Sequence, residues 1–275
     1  MIEKPRCVAI IQGRMAASRL PGKVLLDICG HPMLVRVVER ARRATMLDEV
    51  MVATTSDPAD DPVAGFCRDR GYTCFRGSQY DVLDRYYQAA LSVRAEVLVR
   101  ITADCPLIDP QLINRTVSEF INGNADFAAN RLPPPWHRTY PIGLDVEVCT
   151  LSGLVRAWKE ADLPHQREHV MPYFYEGIPA DATVTTQPIT HYQSPRGFRV
   201  VYLNHSQDYG SLRWTVDSPE DLELIRRVYQ YFDGRDDFSW LDVLDLFQRE
   251  PQLAQINSAV HHKVYNELDQ RAKKP

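Results

Sequence analysis

The stretch CVAIIQGRMAASRLPGKVL, residues 7–25, decides the fold. Its first five residues are apolar and have the length and composition of a buried strand, and a loop bounded by Gly13 and Gly22 follows. That loop has no acidic residue and contains three cations, Arg14, Arg19 and Lys23. Because ligands of open parallel sheets bind beyond the carboxyl ends of the strands, we expect an anionic ligand at this loop.

The first half of the chain repeats the order of strand and helix. After the opening strand, the spacing of apolar residues predicts helices at 32–44, 60–70 and 81–93 and from Pro110 onward, separated by strands at 50–54, 72–75 and 96–102. Continuously apolar strands that alternate with helices are typical of parallel sheets. The sequence therefore predicts an α/β fold with a mostly parallel, mixed sheet and helices on both faces.

From about residue 125 this order changes. Strand-like segments occur at 126–129, 144–149, 182–187 and 198–203, together with the proline-rich loop NRLPPPWHRTYP. A further strand, LRWTV, precedes a helix that starts at Pro219 with Ser218 as its cap. We expect one domain over residues 1–250, with a mixed-strand insertion around 125–205 for acceptor binding or dimerisation, and a helical tail at 251–275.

Composition excludes several classes of function. The chain is 44% hydrophobic and 25% charged, its net charge is −4, and none of its apolar runs approaches the ~20 residues of a membrane span. We therefore expect a protein of the cytoplasm that has neither a nucleic-acid nor a membrane partner. The six cysteines have neither CxxC pairs nor metal-ligand spacing, which argues against zinc and disulfides.

The cationic loop matches neither common phosphate-binding pattern. A P-loop needs glycine at the position of Ala17 and Ser or Thr at the position of Val24, and no GxGxxG is present. Taken alone, the loop could equally be a solvated basic turn.

Two aspartates favour a ligand over a solvated turn. Asp104 follows the strand at 96–102, and Asp217 ends the LRWTV segment. Each could simply cap a neighbouring turn or helix. Together with the cationic loop, however, they provide what a Mg²⁺–polyphosphate site needs.

Several motifs of the chain resemble those of a known family. IIQGRMAASRLPGKVL, VRITADCPLIDP and WTVDSPEDLE, in this order, resemble the sugar cytidylyltransferases, which include the CMP-KDO and CMP-sialate synthetases. FRGSQYDVLDRYYQAA and YPIGLDVEV, followed by REHVMPY, look more narrowly like the spore-coat polysaccharide biosynthesis cytidylyltransferases. The resemblance implies a glycosyltransferase-A-like α/β fold, CTP with Mg²⁺, and transfer of CMP to an acceptor with release of pyrophosphate.

The resemblance also implies roles for individual residues. Those that it places at the nucleotide are Gln12, Gly13, Arg14, Arg19, Lys23, Arg76, Gly77, Ser78 and Asp104. Arg14 and Lys23 would bind the triphosphate, and the turn at 76–78 would border the base or ribose. Asp104 and Asp217 would hold the metal, which completes the catalytic set of Arg14, Lys23, Asp104 and Asp217. We also expect Asp84 and Arg85, on the helix at 81–93, to be within reach of the nucleotide.

The acceptor site is predicted between the proline-rich loop and the REHV segment. Its expected residues are Arg138, Asp145, Glu147, Arg167 and His169, with Trp136 as an apolar wall for a sugar ring. Cations that face the acceptor favour an anionic sugar or sugar acid. Alternatively, Arg167 pairs with a neighbouring carboxylate and only supports the fold.

Three hypotheses stay open on the sequence alone. The first is a CTP-dependent nucleotidyltransferase. The second is a sugar-1-phosphate nucleotidyltransferase or a glycosyltransferase of the same architecture, although the LDVEV segment only loosely approximates the metal motif of a glycosyltransferase. The third is a non-catalytic protein that binds a nucleotide sugar. The expected partners are CTP and the acceptor, with a homodimer left open.

Overall fold

The computed structural model describes residues 4–260. Within them the strands are β1 (Cys7–Gln12), β2 (Asp27–Ile28), β3 (His31–Pro32), β4 (Glu49–Thr55), β5 (Thr73–Gly77), β6 (Val97–Thr102), β7 (Phe127–Ala129), β8 (Glu147–Thr150), β9 (Ile189–Gln193) and β10 (Arg199–Leu203). The α-helices are α1 (Met33–Arg42), α2 (Asp61–Asp69), α3 (Val82–Ser92), α4 (Pro110–Asn122), α5 (Leu151–Glu160), α6 (Pro164–His169), α7 (Pro172–Tyr175), α8 (Pro219–Tyr231) and α9 (Trp240–Arg249).

One large mixed sheet organises the described residues. Its strand order is β5-β4-β1-β6-β8-β7-β10-β9, and β2 pairs with β3 in a separate small hairpin. The first four strands of the large sheet are parallel, and the strands from β8 onward add three antiparallel pairings and one parallel pairing. This architecture confirms the predicted α/β fold with a mostly parallel, mixed sheet.

Both faces of the sheet are covered, which explains the unbroken apolar run of β1. Side chains of a strand alternate between the two faces. Ala9 and Ile11 therefore pack in one apolar cluster, whereas Val8 and Ile10 pack in the other, and all four are fully buried. A strand with water on one face would instead alternate apolar and polar residues.

The register of the central strands brings the site residues to one edge. Gln12 of β1 pairs with Thr102 of β6, so that the loops after both strands begin side by side. They approach so closely that a Cβ at Gly13 would lie 2.8 Å from the Cβ of Ala103. Gly22 has a φ of 72°, a left-handed conformation that glycine adopts at no steric cost. These two glycines set the course of the cationic loop.

The helices and strands of the first half follow the prediction within one to three residues, whereas the later strands differ more. The segment 182–187 is wrong as a strand, because it contains a 3-10 turn at Asp181–Thr183, and the edge strand is β9. The predicted LRWTV strand is also wrong. It forms one isolated bridge, between Arg213 and Ile142. Its amide groups bond to loop carbonyls, as Val216 N does to Asp104 O at 2.8 Å, and form no regular ladder.

The end of the chain is described only in part. A 3-10 helix, Pro251–Gln255, follows α9, and residues 261–275 of the predicted helical tail lie outside the described residues. Between residues 4 and 260, the structure contains no helix with the length and apolarity that crossing a bilayer requires.

Candidate active site

A cleft of about 320 Å³ opens at the carboxyl edge of β1 and β6. The cationic loop forms one wall, and α6 with the chain around Arg131 forms the opposite wall. Its charged lining residues are Arg14, Arg19, Lys23, Arg85, Arg100, Asp104, Arg131, Glu147, Glu168 and Asp217. The cleft therefore lies where ligands are expected for an open sheet, and cations dominate its lining.

Lys23 joins the two aspartates at one end of the cleft. Its Nζ donates hydrogen bonds to Asp104 Oδ2, Asp217 Oδ1 and the carbonyl of Val216, each at 2.8 Å. Burial alone would lower the pKa of the lysine, but the two carboxylates outweigh it and raise the pKa of Lys23. The ammonium is consequently charged at neutral pH and offsets the repulsion between the two carboxylates.

Asp217 is held by two further cations. Arg19 Nη2 lies 2.9 Å and Arg213 Nη2 lies 2.8 Å from its Oδ2. Burial would raise the pKa of Asp217, but the surrounding cations, led by Lys23, lower it far below its usual range. The carboxylate is therefore ionised and oriented, as a metal ligand must be.

A buried carboxylate anchors the start of the cationic loop. Asp60 is 3% exposed, and its Oδ1 accepts a hydrogen bond from the amide of Met15 at 2.6 Å. Its Oδ2 accepts a second bond from the hydroxyl of Thr55, at the end of β4. Asp60 thus fixes the backbone next to Arg14 and limits the movement of the loop before a ligand binds.

The opposite end of the cleft contains paired charges. Arg100 of β6 forms an ion pair with Glu147 of β8, and both side chains are largely buried. Arg131 Nε lies 3.1 Å from Asp145 Oδ2, and Arg138 Nη2 lies 3.3 Å from Asp145 Oδ1. Burial lowers the pKa of Arg138, whereas Asp145 outweighs burial at Arg131 and raises its pKa.

The structure divides the predicted acceptor residues into two groups. Glu147 and His169 line the cleft, whereas Arg138, Asp145 and Arg167 do not. The guanidinium of Arg167 is bound by both oxygens of Asp81, and its Nη1 donates to the carbonyl of Trp158 at 2.6 Å. The geometry of Arg167 thus matches the alternative of an arginine that supports the fold.

The predicted turn at 76–78 also lies outside the cleft lining. Arg76 donates to the carbonyls of Thr55 and Asp57, both at 2.9 Å, and pairs with Asp61 at 2.7 Å. The turn is linked to the cleft by Arg85, which donates to the carbonyl of Ser78 at 2.7 Å and lines the cleft, as expected. Asp84, which was also expected near the nucleotide, does not line the cleft, and its Oδ1 accepts a hydrogen bond from Trp158 Nε1 at 2.9 Å. Burial, together with the charge of Arg14, lowers the pKa of Arg85 to about 10.

Trp136 does not form the predicted apolar wall. It is 7% exposed, packs edge-on against Tyr175, and donates from Nε1 to the carbonyl of Ile178 at 2.8 Å. An indole placed in this way belongs to the core beneath the cleft. Tyr175 lines the cleft in its place.

Three lining residues, Arg100, Arg131 and Tyr175, were not singled out from the sequence. The sequence does contain an indication that Arg100 is unusual, because it is the one charged residue in the apolar strand VLVRIT. A charge in a strand buried on both faces needs a buried partner, and here that partner is Glu147. Arg131 and Tyr175 belong to a loop and a short helix whose placement depends on distant packing.

The residues present fit one divalent cation at the end of the cleft near Lys23. Asp104 and Asp217 both reach the same ammonium, so that one cation could contact both carboxylates. Mg²⁺ binds to one or two carboxylates and takes its other ligands from phosphate and water. Residues 4–260 include no group of three or more His, Cys, Asp and Glu side chains suited to a metal, and all six cysteines are free thiols.

The comparison with known proteins settles the family. A family model described as cytidylyltransferase matches residues 8–232. The chain belongs to the cytidylyltransferase family. This result confirms the resemblance found in the sequence motifs and the expectation of a CTP-dependent enzyme.

Individual relatives match over most of the chain. The spore coat polysaccharide biosynthesis protein SpsF of Bacillus subtilis is 29% identical over 252 residues, covering 89% of this chain and 95% of SpsF. A 3-deoxy-manno-octulosonate cytidylyltransferase of Anaeromyxobacter sp. (strain K) is 32% identical, covering 80% of this chain and 96% of that protein. A solved cytidylyltransferase structure from Leptospira borgpetersenii serovar Hardjo-bovis (strain JB197) matches with a TM-score of 0.80 and 30% identity, covering 94% of this chain and 100% of that one.

Proposed function

We propose that this cytidylyltransferase transfers CMP from CTP to an anionic sugar or sugar acid, releases pyrophosphate, and supplies a precursor for a surface polysaccharide or glycan. The observation that carries the proposal is the cluster of Lys23, Asp104 and Asp217 beside the cationic loop. In it, two carboxylates and a charged ammonium border one cleft at the carboxyl edge of the sheet.

The reaction needs charge stabilisation more than a chemically reactive side chain. An acceptor oxygen attacks the α-phosphorus of CTP in line, the new P–O bond forms, and the bond to the β-phosphate oxygen breaks. Negative charge then develops on the departing pyrophosphate. Arg14, Arg19 and Lys23 line the wall of the cleft where that charge would collect.

Asp104 and Asp217 would hold Mg²⁺. The bound ion would supply charge neutralisation on phosphate oxygens and orientation of the reacting groups. The chain's own contribution is an environment of cations that keeps the two carboxylates adjacent. Lys23, Arg19 and Arg213 provide that environment at Asp217.

The acceptor would occupy the end of the cleft bordered by Arg131, Glu147, Glu168, His169 and Tyr175. Two observations support an anionic sugar. The guanidinium of Arg131 can pair with a carboxylate or phosphate, and the names of two relatives refer to a spore coat polysaccharide and to a sugar acid. Arg138 would act indirectly, through Asp145, whereas Arg167, which is bound to Asp81, would support the fold.

We also propose that the protein forms a homodimer and that the 125–205 insertion takes part in dimerisation.

The two competing functions are less well supported. The family match covers the cationic loop and both aspartates. A protein that only binds a nucleotide sugar would not need a cation cluster and two adjacent carboxylates beside one cleft.

Pyrophosphate release is the direct test. The protein is incubated with Mg²⁺ and each of the four nucleoside triphosphates, with a panel of sugar acids, sugar phosphates and neutral sugars. We expect release with CTP and a sugar acid or sugar phosphate, and no release without an acceptor. Release with another triphosphate and a sugar 1-phosphate would instead establish a sugar-1-phosphate nucleotidyltransferase.

A further inference from the structure

One residue of the segment after α9, Asn257, contacts side chains next to the candidate active site. Asn257 is 5% exposed, although its neighbours Gln255, Ser258 and Ala259 are exposed. Its Nδ2 donates hydrogen bonds to the carbonyl of Arg213 at 2.9 Å and to Asp221 Oδ1 at 2.8 Å. A buried amide that uses both of its donor hydrogens is a structural contact of high specificity.

Asp221 receives that contact and is fully buried at the start of α8. It also binds Arg213 twice, through Nε at 2.9 Å and through Nη2 at 3.0 Å. Its Oδ2 accepts the amides of Asp217 at 2.9 Å and Ser218 at 3.1 Å. Asp221 therefore holds both the guanidinium of Arg213 and the stretch of backbone that carries Asp217.

Arg213 completes the connection to the cleft. Its Nη2 lies 2.8 Å from Asp217 Oδ2, while Lys23 binds Asp217 Oδ1. Arg213 thus orients one oxygen of the Asp217 carboxylate, together with Arg19, whose Nη2 lies 2.9 Å from the same oxygen. Since Asn257 binds both the carbonyl of Arg213 and its carboxylate partner, it restrains the position of the guanidinium.

We propose that Asn257 is a positioning residue for the metal-binding carboxylate of Asp217, acting through Asp221 and Arg213. This inference rests on the proposed function, because it takes Asp217 as a metal ligand. Groups that orient a metal ligand are commonly worth a large factor in metal affinity, although they never touch the ion. The segment 251–260 thus contributes to the geometry of the active site through Asn257.

The test is the binding of Mn²⁺ in the presence of CTP and the absence of acceptor, measured from the electron paramagnetic resonance signal of the free ion after subtraction of the Mn²⁺ that CTP alone binds. The wild type is compared with Asn257→Ala and with Gln255→Ala, an exposed residue of the same segment. We expect Asn257→Ala to weaken Mn²⁺ binding about tenfold and Gln255→Ala to leave it unchanged. Equal affinity in the wild type and Asn257→Ala overturns the proposal.

Two further variants separate the hydrogen bonds from simple packing. Asn257→Asp keeps the shape but replaces the donor by an acceptor that faces Asp221, so we expect at least the loss seen with alanine. Asn257→Ser keeps a donor, and we expect a smaller loss; it also replaces the alanine variant if that variant melts below the assay temperature. Mn²⁺ binding by Asn257→Asp at the wild-type level would show that the hydrogen bonds do not position Asp217.

The same titration separates this proposal from the proposed function. If the wild type binds Mn²⁺ together with CTP and Asn257→Ala does so equally well, only the role of Asn257 fails. If the wild type itself does not bind Mn²⁺, the metal site at Asp104 and Asp217 fails, and the proposal for Asn257 is overturned with it.

Discussion

The two ends of the cleft are built differently. At the end near Lys23, where we propose that the triphosphate binds (the phosphate end), the loops after parallel strands β1 and β6 bring Lys23 and Asp104 together, and one ammonium is shared by two carboxylates. At the acceptor end, antiparallel β8, a proline-rich loop and α6 supply the lining, and Arg100 is matched with one carboxylate, that of Glu147.

This difference in charge supports the ligand that we propose for each end. The phosphate end has a surplus of cations, Arg14, Arg19 and Lys23, around two carboxylates, which suits a highly charged triphosphate and its metal. At the acceptor end, the numbers of cationic and anionic side chains are more nearly equal. We therefore expect substitutions at the phosphate end to affect nucleotide chemistry strongly and those at the outer arginines of the acceptor end to affect mainly stability.

The largest effect is expected for Asp104→Asn. The variant loses one of the two carboxylates that would hold the metal, and a bound metal contributes several kcal/mol to such reactions. Turnover should fall by at least about a hundredfold while the fold is retained. The measurement is kcat for pyrophosphate release, with circular dichroism to verify folding. Asp69→Asn, on the exposed end of α2, is the control and should behave as wild type. A rate near that of the wild type for Asp104→Asn would show that Asp104 is not a metal ligand.

Lys23→Ala should act mainly on the triphosphate. Lys23 lies between the two carboxylates and lines the wall where the β- and γ-phosphates would bind. Loss of one charged contact typically costs about 1.5–3 kcal/mol, so the affinity for CTP should fall roughly ten- to a hundredfold and that for CMP far less. Calorimetric titration with both nucleotides measures the two losses, with the exposed Lys159→Ala as control. Equal losses would place Lys23 away from the triphosphate.

Asp60→Asn should have a smaller effect at the same end. The substitution removes the charge that holds the Met15 amide and the Thr55 hydroxyl, and the loop that carries Arg14 becomes less fixed. A loss of about 1–2 kcal/mol would raise KM for CTP roughly five- to thirtyfold and leave KM for the acceptor unchanged. Asp61→Asn changes the adjacent, exposed carboxylate and serves as the matched control. A parallel rise in both Michaelis constants would argue against a local role in the loop.

Arg167→Ala should have the smallest kinetic effect. The arginine is bound by Asp81 and by the carbonyl of Trp158, so its removal should cost about 1–2 kcal/mol of stability and lower Tm by several degrees. KM for the acceptor should stay within about twofold of the wild type. Arg227→Ala, which removes an exposed i,i+4 pair with Glu223, is the control. An unchanged Tm together with a raised KM for the acceptor would show that Arg167 binds the acceptor.

The sequence predicts the phosphate end well because strand ends fix positions there. Once β1 and β6 are recognised, Gly13, Lys23 and Asp104 must lie near one edge of the sheet, whatever the rest of the chain does. Asp217 joins them although its predicted strand is wrong, because the segment before it bonds to the loop at Asp104.

The acceptor end could not be predicted residue by residue. Arg138 and Arg167 have the chemistry of acceptor ligands, but their direction depends on the packing of loops against Asp145 and Asp81. Asn257 illustrates the same limit, because 36 residues separate it from Asp221 along the chain. Contacts between distant segments have no local periodicity or spacing that a single sequence reveals.

The most direct test of the central claim is the structure of the protein with CTP and Mg²⁺. The account predicts that the metal contacts both Asp104 and Asp217, and that Lys23 Nζ lies within hydrogen-bond distance of a β- or γ-phosphate oxygen. A triphosphate bound away from the cationic loop, or a metal that touches neither aspartate, would contradict it.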